Sequence, residues 1–309
     1  MEGMDLLLKS MEDQNDAVFP FSAIIGQDMV KTALMVAMTE PRVHSVLIWG
    51  NPGTAKSSLA KSVYKIAPDI EARIGCPFHC APKSKCPRCE KEGETSLERP
   101  PVDMLPPSLA RASLDLLKDQ NDVKNSFLAT LNRGYLILDG VDSYDKKAVA
   151  EILELSRGKG KYSWNPVFTV IGTYDAGLSE PPEIVNQFDI FASTDIVDDL
   201  EGRIEITKRS MMHNGDANQF SLQFAREDAT SAGRVRRAVG ELEKTFLTKR
   251  AKEHLAKTAS KQDVEMVQRV SKAIAALDGK KWASMEDIDE AWELVAGSRE
   301  TLVGGIVRL

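Results

Sequence analysis

This 309-residue sequence predicts a mixed α/β fold, a parallel sheet flanked by helices, followed by an all-helical C-terminal module. Three observations carry that prediction. Short apolar runs alternate with amphipathic stretches in the first two-thirds of the chain. A glycine-bearing turn, Gly50–Ser57, joins the first apolar run to a helical pattern. From about Leu200 onward the strand signals stop and only helical periodicity continues.

Residues 1–18 read as a polar tail, in which Leu6–Leu8 is the only apolar stretch and acids stand on both sides. That is not an ordinary secretory signal. Phe19–Gln27 (FPFSAIIGQ) opens the ordered part, and an amphipathic stretch runs on to Met38. Ser45–Gly50 (SVLIWG) reads as a buried strand. Leu59, Val63 and Ile66 then recur at helical spacing. Residues 76–108, rich in proline and holding all four cysteines, read as irregular. Gly134–Asp139 (GYLILD) and Val167–Thr173 (VFTVIGT) are two further strand runs. These boundaries give an α/β core over 19–200, with a cysteine loop at 76–89, and a helical domain over 201–309.

The helical domain is read from three stripes: Val235, Val239, Leu242 and Phe246; Val264, Val267, Ile274 and Leu277; Ile288, Trp292 and Val295. Residues 226–261 hold ten Lys or Arg against five Asp or Glu, read first as a solvated helix face. The formal charge of −6 argues against a chain built as a nucleic-acid glove. Apolar runs fall far short of a membrane span. With the cysteines in one cluster rather than scattered, the expected compartment is reducing and cytoplasmic.

Gly50-Asn51-Pro52-Gly53-Thr54-Ala55-Lys56-Ser57 nearly matches the phosphate-binding pattern G-x-x-x-x-G-K-[ST]. Small residues let backbone N–H groups curl around an anion, and the following helix, through Ser58, adds its positive N-terminal end. Lys56 would reach the β- and γ-phosphates of ATP, and Ser57 would ligate Mg²⁺. Ala55 stands where the second glycine is usual; one methyl is tolerable there if the residue keeps a negative φ. Asp139 closes an apolar strand, as a Mg²⁺-holding Walker B carboxylate does. Asp142 is a stand-in acid for activating water, or a polar loop residue. Cys76, Cys80, Cys86 and Cys89 offer four thiolates within 14 residues, with His79 as a fifth candidate ligand. They suit a structural Zn²⁺, an iron–sulfur cluster, or thiols without metal.

FPFSAIIGQ, the phosphate loop, CPFHC…CPRC, NRGYLILDGVD and AIAALDGKKWASMEDIDEAWELV occur in the order seen in the I subunit of magnesium chelatase. The chain resembles that family of AAA+ ATPases from Phe19 to about Arg299. The resemblance implies a AAA+ core, a helical lid and a homo- or hetero-oligomeric ring. It implies D-type and H-type chelatase-like partners or a metalloenzyme client, with adenine held near Ile25, Gly26 and Gln27. It places a γ-phosphate-sensing arginine at Arg269, with Arg236 and Arg237 as rivals. Arg133 is a weaker candidate, better read as a surface turn. Loops inserted around the Walker B strand would fall at Met104–Phe127 and Gly158–Trp164, the second resembling a trimmed hairpin or an ordinary turn.

Three positions depart from the family pattern. Gly140 follows Asp139 where a glutamate usually polarises water. Asp175 stands where asparagine is usual and would add negative charge beside the γ-phosphate; an ionised Asp cannot donate a hydrogen bond. Gln187 occupies the arginine-finger position, a residue worth ~10³–10⁵ in rate. The expected protein is therefore an ATP-binding motor or switch with weak hydrolysis of its own. The alternatives are a non-hydrolysing adaptor and, third, a DNA-remodelling ATPase.

Overall fold

The computed structural model describes residues 18–89, 93–118, 123–162, 164–176 and 183–304. The tail assigned to 1–18 therefore lies, except for Val18, outside the described residues, as does Pro182.

Strand β1 is Ser45–Gly50. Its two faces separate as period-two geometry requires. Val46 and Ile48 join one apolar cluster, and Leu47 the other. The remaining strands of the main sheet are β4 (Val102–Met104), β5 (Tyr135–Leu138), β6 (Thr169–Asp175) and β7 (Ile190–Ser193). They pair in the order β4-β5-β6-β1-β7, every neighbour parallel. β6 begins two residues later than the apolar run suggested and extends to Asp175. A separate antiparallel ribbon joins β2 (Ile70–Arg73) to β3 (Thr95–Glu98).

Helices α1 (Asp28–Thr39) and α2 (Lys56–Ile66) cover one face of the sheet. Helices α3 (Ala110–Leu116) and α4 (Lys146–Ser156) cover the other, beside the cysteine loop. Asp145 caps α4 by accepting from the Ala148 N–H at 3.1 Å.

The C-terminal part holds α5 (Leu200–Gly215), α6 (Ala217–Glu241), α7 (Lys249–Thr258), α8 (Val264–Leu277), α9 (Met285–Trp292) and α10 (Ser298–Gly304). A π-helical turn, Glu293–Gly297, separates the last two. This part is not purely helical. Phe246–Leu247 (β8) and Trp282–Ala283 (β9) form a short parallel pair. The first expected stripe accordingly breaks: Val235 and Leu242 are buried, whereas Val239 and Phe246 are exposed. Helix α6 ends at Glu241, and Phe246 instead faces Trp282, ring centroids 5.8 Å apart.

Val235, Val267, Val270 and Ile274 share one continuous apolar cluster with Val30, Leu34 and Ile48 of the sheet and α1. That packing fixes where the helical part sits. A second tie is polar: Trp49 Nε1, beside the phosphate loop, donates to Ser298 Oγ at 2.8 Å. Among the described residues no helix is long and apolar enough to cross a membrane.

Candidate functional site: a phosphate-loop cleft and a four-cysteine centre

The phosphate loop leaves the carboxyl end of β1 and turns into α2. A Cβ on Gly50 would lie 2.1 Å from Thr194 Oγ1, so no side chain fits there. Thr194 and Thr54 are hydrogen-bonded through their hydroxyls at 2.6 Å, and Thr54 also donates to the Asn51 carbonyl at 2.7 Å. Ala55 lies at φ 66° as the N-cap of α2, so the negative φ under which a methyl is free of strain is not met. The loop needs the left-handed turn that glycine usually supplies there, and the methyl is carried at a cost of about 1–2 kcal/mol.

Lys56 is 6% exposed and fully engaged. Its Nζ donates to the carbonyls of Gly50 at 3.0 Å and Asn51 at 2.6 Å, and pairs with Asp175 Oδ1 at 2.6 Å. Asp139 Oδ1 accepts from Ser57 Oγ at 2.7 Å and from Thr173 Oγ1 at 2.6 Å. The Thr173 hydroxyl in turn accepts from the Gly140 N–H at 2.9 Å. The ends of β1, β5 and β6 thus bring Lys56, Ser57, Asp139 and Asp175 together. Gly140 lies at φ 69°, a backbone state that would strain any side chain, glutamate included. Asp142 is exposed in the turn after it.

A cavity of about 930 Å³ opens beside the loop. Ile25, Gln27, Asn51–Ala55 and Ser58 line it. Gly26 lies between two of those residues at φ 64°. Gln27 is clamped to Asp195, donating to its carbonyl at 2.7 Å and accepting from its N–H at 2.9 Å. Behind this segment, buried Asp228 of α6 accepts from Ser22 N–H at 2.8 Å and Ser22 Oγ at 2.7 Å. The FPFSAIIGQ stretch is thereby anchored to the helical part.

Arg269, expected as the γ-phosphate sensor, does not line this cavity within the single chain. It lies in a separate groove with Glu40, Arg42 and Lys272, paired with Glu265. Packing of α8 against α1 carries it there. Arg236 pairs with Asp69 at 3.5 Å, and Arg237 is exposed. The cations that do line the cavity are Lys61, Arg203 and Arg209. Arg209 donates to the Ala23 carbonyl at 2.8 Å, and His213 lies against Phe19. No motif marked these α5 residues; their one sequence signal is i, i+6 and i+10 spacing after the Asp199 cap. Asp103 of β4 also lines the cavity, and burial pushes its carboxyl up to about 6. Gln187 is exposed, and its carbonyl accepts from Arg157.

Arg133 sits at the amino end of β5, opposite the phosphate loop. Its Nη1 donates to the carbonyls of Glu71 at 2.6 Å and His79 at 3.1 Å. It therefore serves the cysteine loop rather than a phosphate. Asn132 does the same, donating to the Phe78 carbonyl at 2.7 Å. Trp164 stacks on Phe78 with centroids 5.1 Å apart, so the described part of Gly158–Trp164 packs against the cysteine loop. Of the other expected insertion, Met104–Phe127, residues 119–122 lie outside the described residues.

The sulfurs of Cys76, Cys80, Cys86 and Cys89 all lie within 4.8 Å of one another, Cys76 and Cys86 at 3.9 Å. A tetrahedral zinc with Zn–S near 2.3 Å spaces its sulfurs by about 3.8 Å. The set therefore fits one tetrahedral ion better than an iron–sulfur cluster, whose ligands are spread over separate irons. His79 points away, to Glu98 at 3.1 Å. Burial and hydrogen bonding to neighbouring sulfurs push the Cys80 thiol well up and Cys89 up to about 12. Burial raises Cys76 too, but hydrogen bonds from Cys89, Cys80 and two backbone N–H groups outweigh it and bring it down.

With this geometry in view, the comparisons with known proteins bear directly on the chain. The family model "Magnesium chelatase, subunit ChlI" matches residues 20–157. The chain resembles ChlI. It is 27% identical over 316 residues to the magnesium-chelatase subunit ChlI homolog of Methanocaldococcus jannaschii, covering 91% of this chain and 85% of that one. It is 28% identical to the magnesium-chelatase 38 kDa subunit of Cereibacter sphaeroides over 236 residues, covering 70% and 71% respectively. A chain in the cryo-EM-based complex of subunits BchI and BchD of magnesium chelatase shares its fold. That match has TM-score 0.50 at 22% identity and covers 92% of this chain and 99% of that one. The ChlI-like chain thus carries the AAA+ fold, and its matched segment contains the phosphate loop, the cysteine centre and Asp139.

Proposed function

We propose that this chain is a nucleotide-binding subunit of a chelatase-like or metalloenzyme-remodelling assembly, with weak ATP hydrolysis of its own. The observation that carries the reading is the convergence of Lys56, Ser57 and Asp139 at the carboxyl ends of β1 and β5, beside a cradle at Gly50 that excludes any side chain. Lys56 would hold the β- and γ-phosphates, and Ser57 and Asp139 the Mg²⁺. Ile25 and Gln27 would flank the base. When bound, ATP supplies a terminal phosphoryl group whose presence or loss can bias the lid. In this reading 19–200 is the core and 201–309 the lid, and Arg203 and Arg209 are better placed than Arg269 to report nucleotide within one subunit.

Weak hydrolysis is supported by Gly140, Asp175 and Gln187. None of them supplies the water-polarising carboxylate, the neutral donor or the guanidinium that phosphoryl transfer ordinarily uses. A homo- or hetero-oligomeric ring with a D-type partner is the assembly that the BchI–BchD neighbour supports, and an H-type partner or a metalloenzyme client is what the family resemblance adds. The test is steady-state ATP turnover and nucleotide titration, alone and with partner subunits, beside Lys56→Ala. We expect binding, turnover well below that of partner-complemented protein, and an affinity loss of about 100-fold in Lys56→Ala. Robust turnover by the chain alone would sink the weak-hydrolysis reading.

The cysteine centre supports a second assignment, a structural Zn²⁺ held by Cys76, Cys80, Cys86 and Cys89. All ligand positions would be protein thiolates, so the ion would brace the loop and leave no position for a reactant.

A further inference from the structure

We infer that Asp175 makes this cleft prefer a nucleoside diphosphate over a triphosphate. The inference rests on the nucleotide-binding reading above. Asp175 ends β6, in register with Gly50 of β1, and β6 lies between β1 and β5 in the sheet. Its carboxylate therefore stands between the loop that bears Lys56 and the strand that leads to Asp139. On the nucleotide-binding reading this is the end that meets the terminal phosphate, because Lys56 would hold it there. The base end is elsewhere, along Ile25, Gln27 and the α5 side of the cavity.

Two consequences follow for an incoming phosphate chain. Lys56 Nζ has three partners already, and the Asp175 contact at 2.6 Å is the ionic one. Any phosphate that engages Lys56 must displace that carboxylate, and the γ-phosphate is the one that then comes to lie beside it. Once displaced, the carboxylate remains a fixed negative charge next to the group with the most negative charge. Thr173, the hydroxyl nearest on the same strand, is turned to Asp139 and Gly140 and offers no compensating donor. A β-phosphate, farther from the end of β6, meets less of this repulsion. Asp175 is 43% exposed, which screens the effect without removing it. Asp175 is thus a specificity-determining residue, set against the γ-phosphate.

The experiment is calorimetric titration of the full chain with Mg²⁺-ADP and Mg²⁺-AMP-PNP, in the wild type, Asp175→Asn and Asp175→Ala. The wild type should bind ADP more tightly. Both variants should narrow the ADP-over-AMP-PNP ratio by ~10-fold, the size of one removed like charge at close range. The alanine variant matters because it removes charge without adding an amide donor. An unchanged ratio in both variants overturns the assignment, as does weaker AMP-PNP binding in either, which would mean that Asp175 helps to hold the Mg²⁺ complex. Narrowing in Asp175→Asn alone overturns the charge argument in favour of a missing donor. If neither nucleotide binds the wild type, the nucleotide-binding reading falls and this one with it; binding with an unchanged ratio sinks only the role of Asp175.

Discussion

The phosphate-loop cleft and the cysteine centre lie at opposite ends of the same parallel sheet, and they satisfy their polar groups differently. In the cleft, Lys56 is answered by Asp175 and Asp139 by Ser57 and Thr173, partners brought from strand β6 and the first turn of α2. A ligand entering there competes with contacts the protein already makes. In the cysteine centre the four sulfurs come from one short loop and face one another. If they bind as thiolates, only a cation can satisfy all four, and a ligand there would complete what the chain cannot. On the readings proposed above, the first site would be switched by its ligand and the second filled once.

The largest test of that contrast is metal removal. Zinc analysis should return one equivalent per chain, lost in Cys80→Ser. Chelation or Cys80→Ser should lower stability by more than about 3 kcal/mol, roughly 5–10 °C in melting temperature, because metal affinity becomes folding energy. Nucleotide affinity should change far less, since Asn132 and Arg133 tie the loop to the amino end of β5 and not to the phosphate end. If chelation leaves melting untouched, the cysteines are ordinary buried thiols and the contrast collapses. Equal losses of metal and nucleotide would mean that the two ends are coupled through the sheet.

The same contrast explains what could be read from sequence. Gly50–Ser57 and Cys76–Cys89 are local patterns, so spacing alone locates them. The strand ending at Asp139 was legible because a buried parallel strand is a continuous apolar run. The Lys56–Asp175 pair was not, because it depends on the register of β1 against β6. Motif order says nothing about where α8 packs, and contact with α1 turns Arg269 into a groove separate from the cavity beside the phosphate loop. Arg203, Arg209 and His213 were missed because cavity-lining residues on one helix face carry no motif. Phe246 fits a helical stripe in sequence, yet pairing with Trp282 wins over that periodicity.

A smaller effect should come from the wall of the cleft. Burial raises the Asp103 carboxyl to about 6, while its Oδ1 accepts from the Met104 N–H at 2.7 Å. An acid with a raised folded pKa takes up protons on folding, so its contribution is most favourable at low pH. That contribution is lost as pH climbs from the ordinary carboxylate range to about 6, and above that the penalty is constant. Asp103→Asn should therefore match the wild type near pH 4 and be the more stable protein at pH 7–8. The gain should be on the order of 1 kcal/mol, since the group is only partly buried. Melting curves across pH decide it. A gain that is flat with pH would assign the effect to packing, and the cleft would then be self-satisfied at this residue too.

The smallest effect separates backbone strain from side-chain pairing as the means by which the cleft is held open for a ligand. Ala55 carries φ 66° at the turn into α2. Glycine there would release about 1–2 kcal/mol of local strain. It would also enlarge the unfolded ensemble, at a cost of about 0.5–1 kcal/mol. Ala55→Gly should thus raise stability by no more than about 1.5 kcal/mol, while nucleotide affinity moves only slightly, because the backbone N–H groups that would face phosphate keep their places. Thermal melting and an ADP titration on the same variant test both halves. A loss of stability would mean that the Ala55 methyl, which packs against the apolar cluster under α2, contributes more than its backbone costs. A large rise in affinity would instead mean that the strained alanine holds the loop away from its phosphate-binding shape. The switchable character of the cleft would then reside in one backbone angle as much as in the Lys56–Asp175 pair.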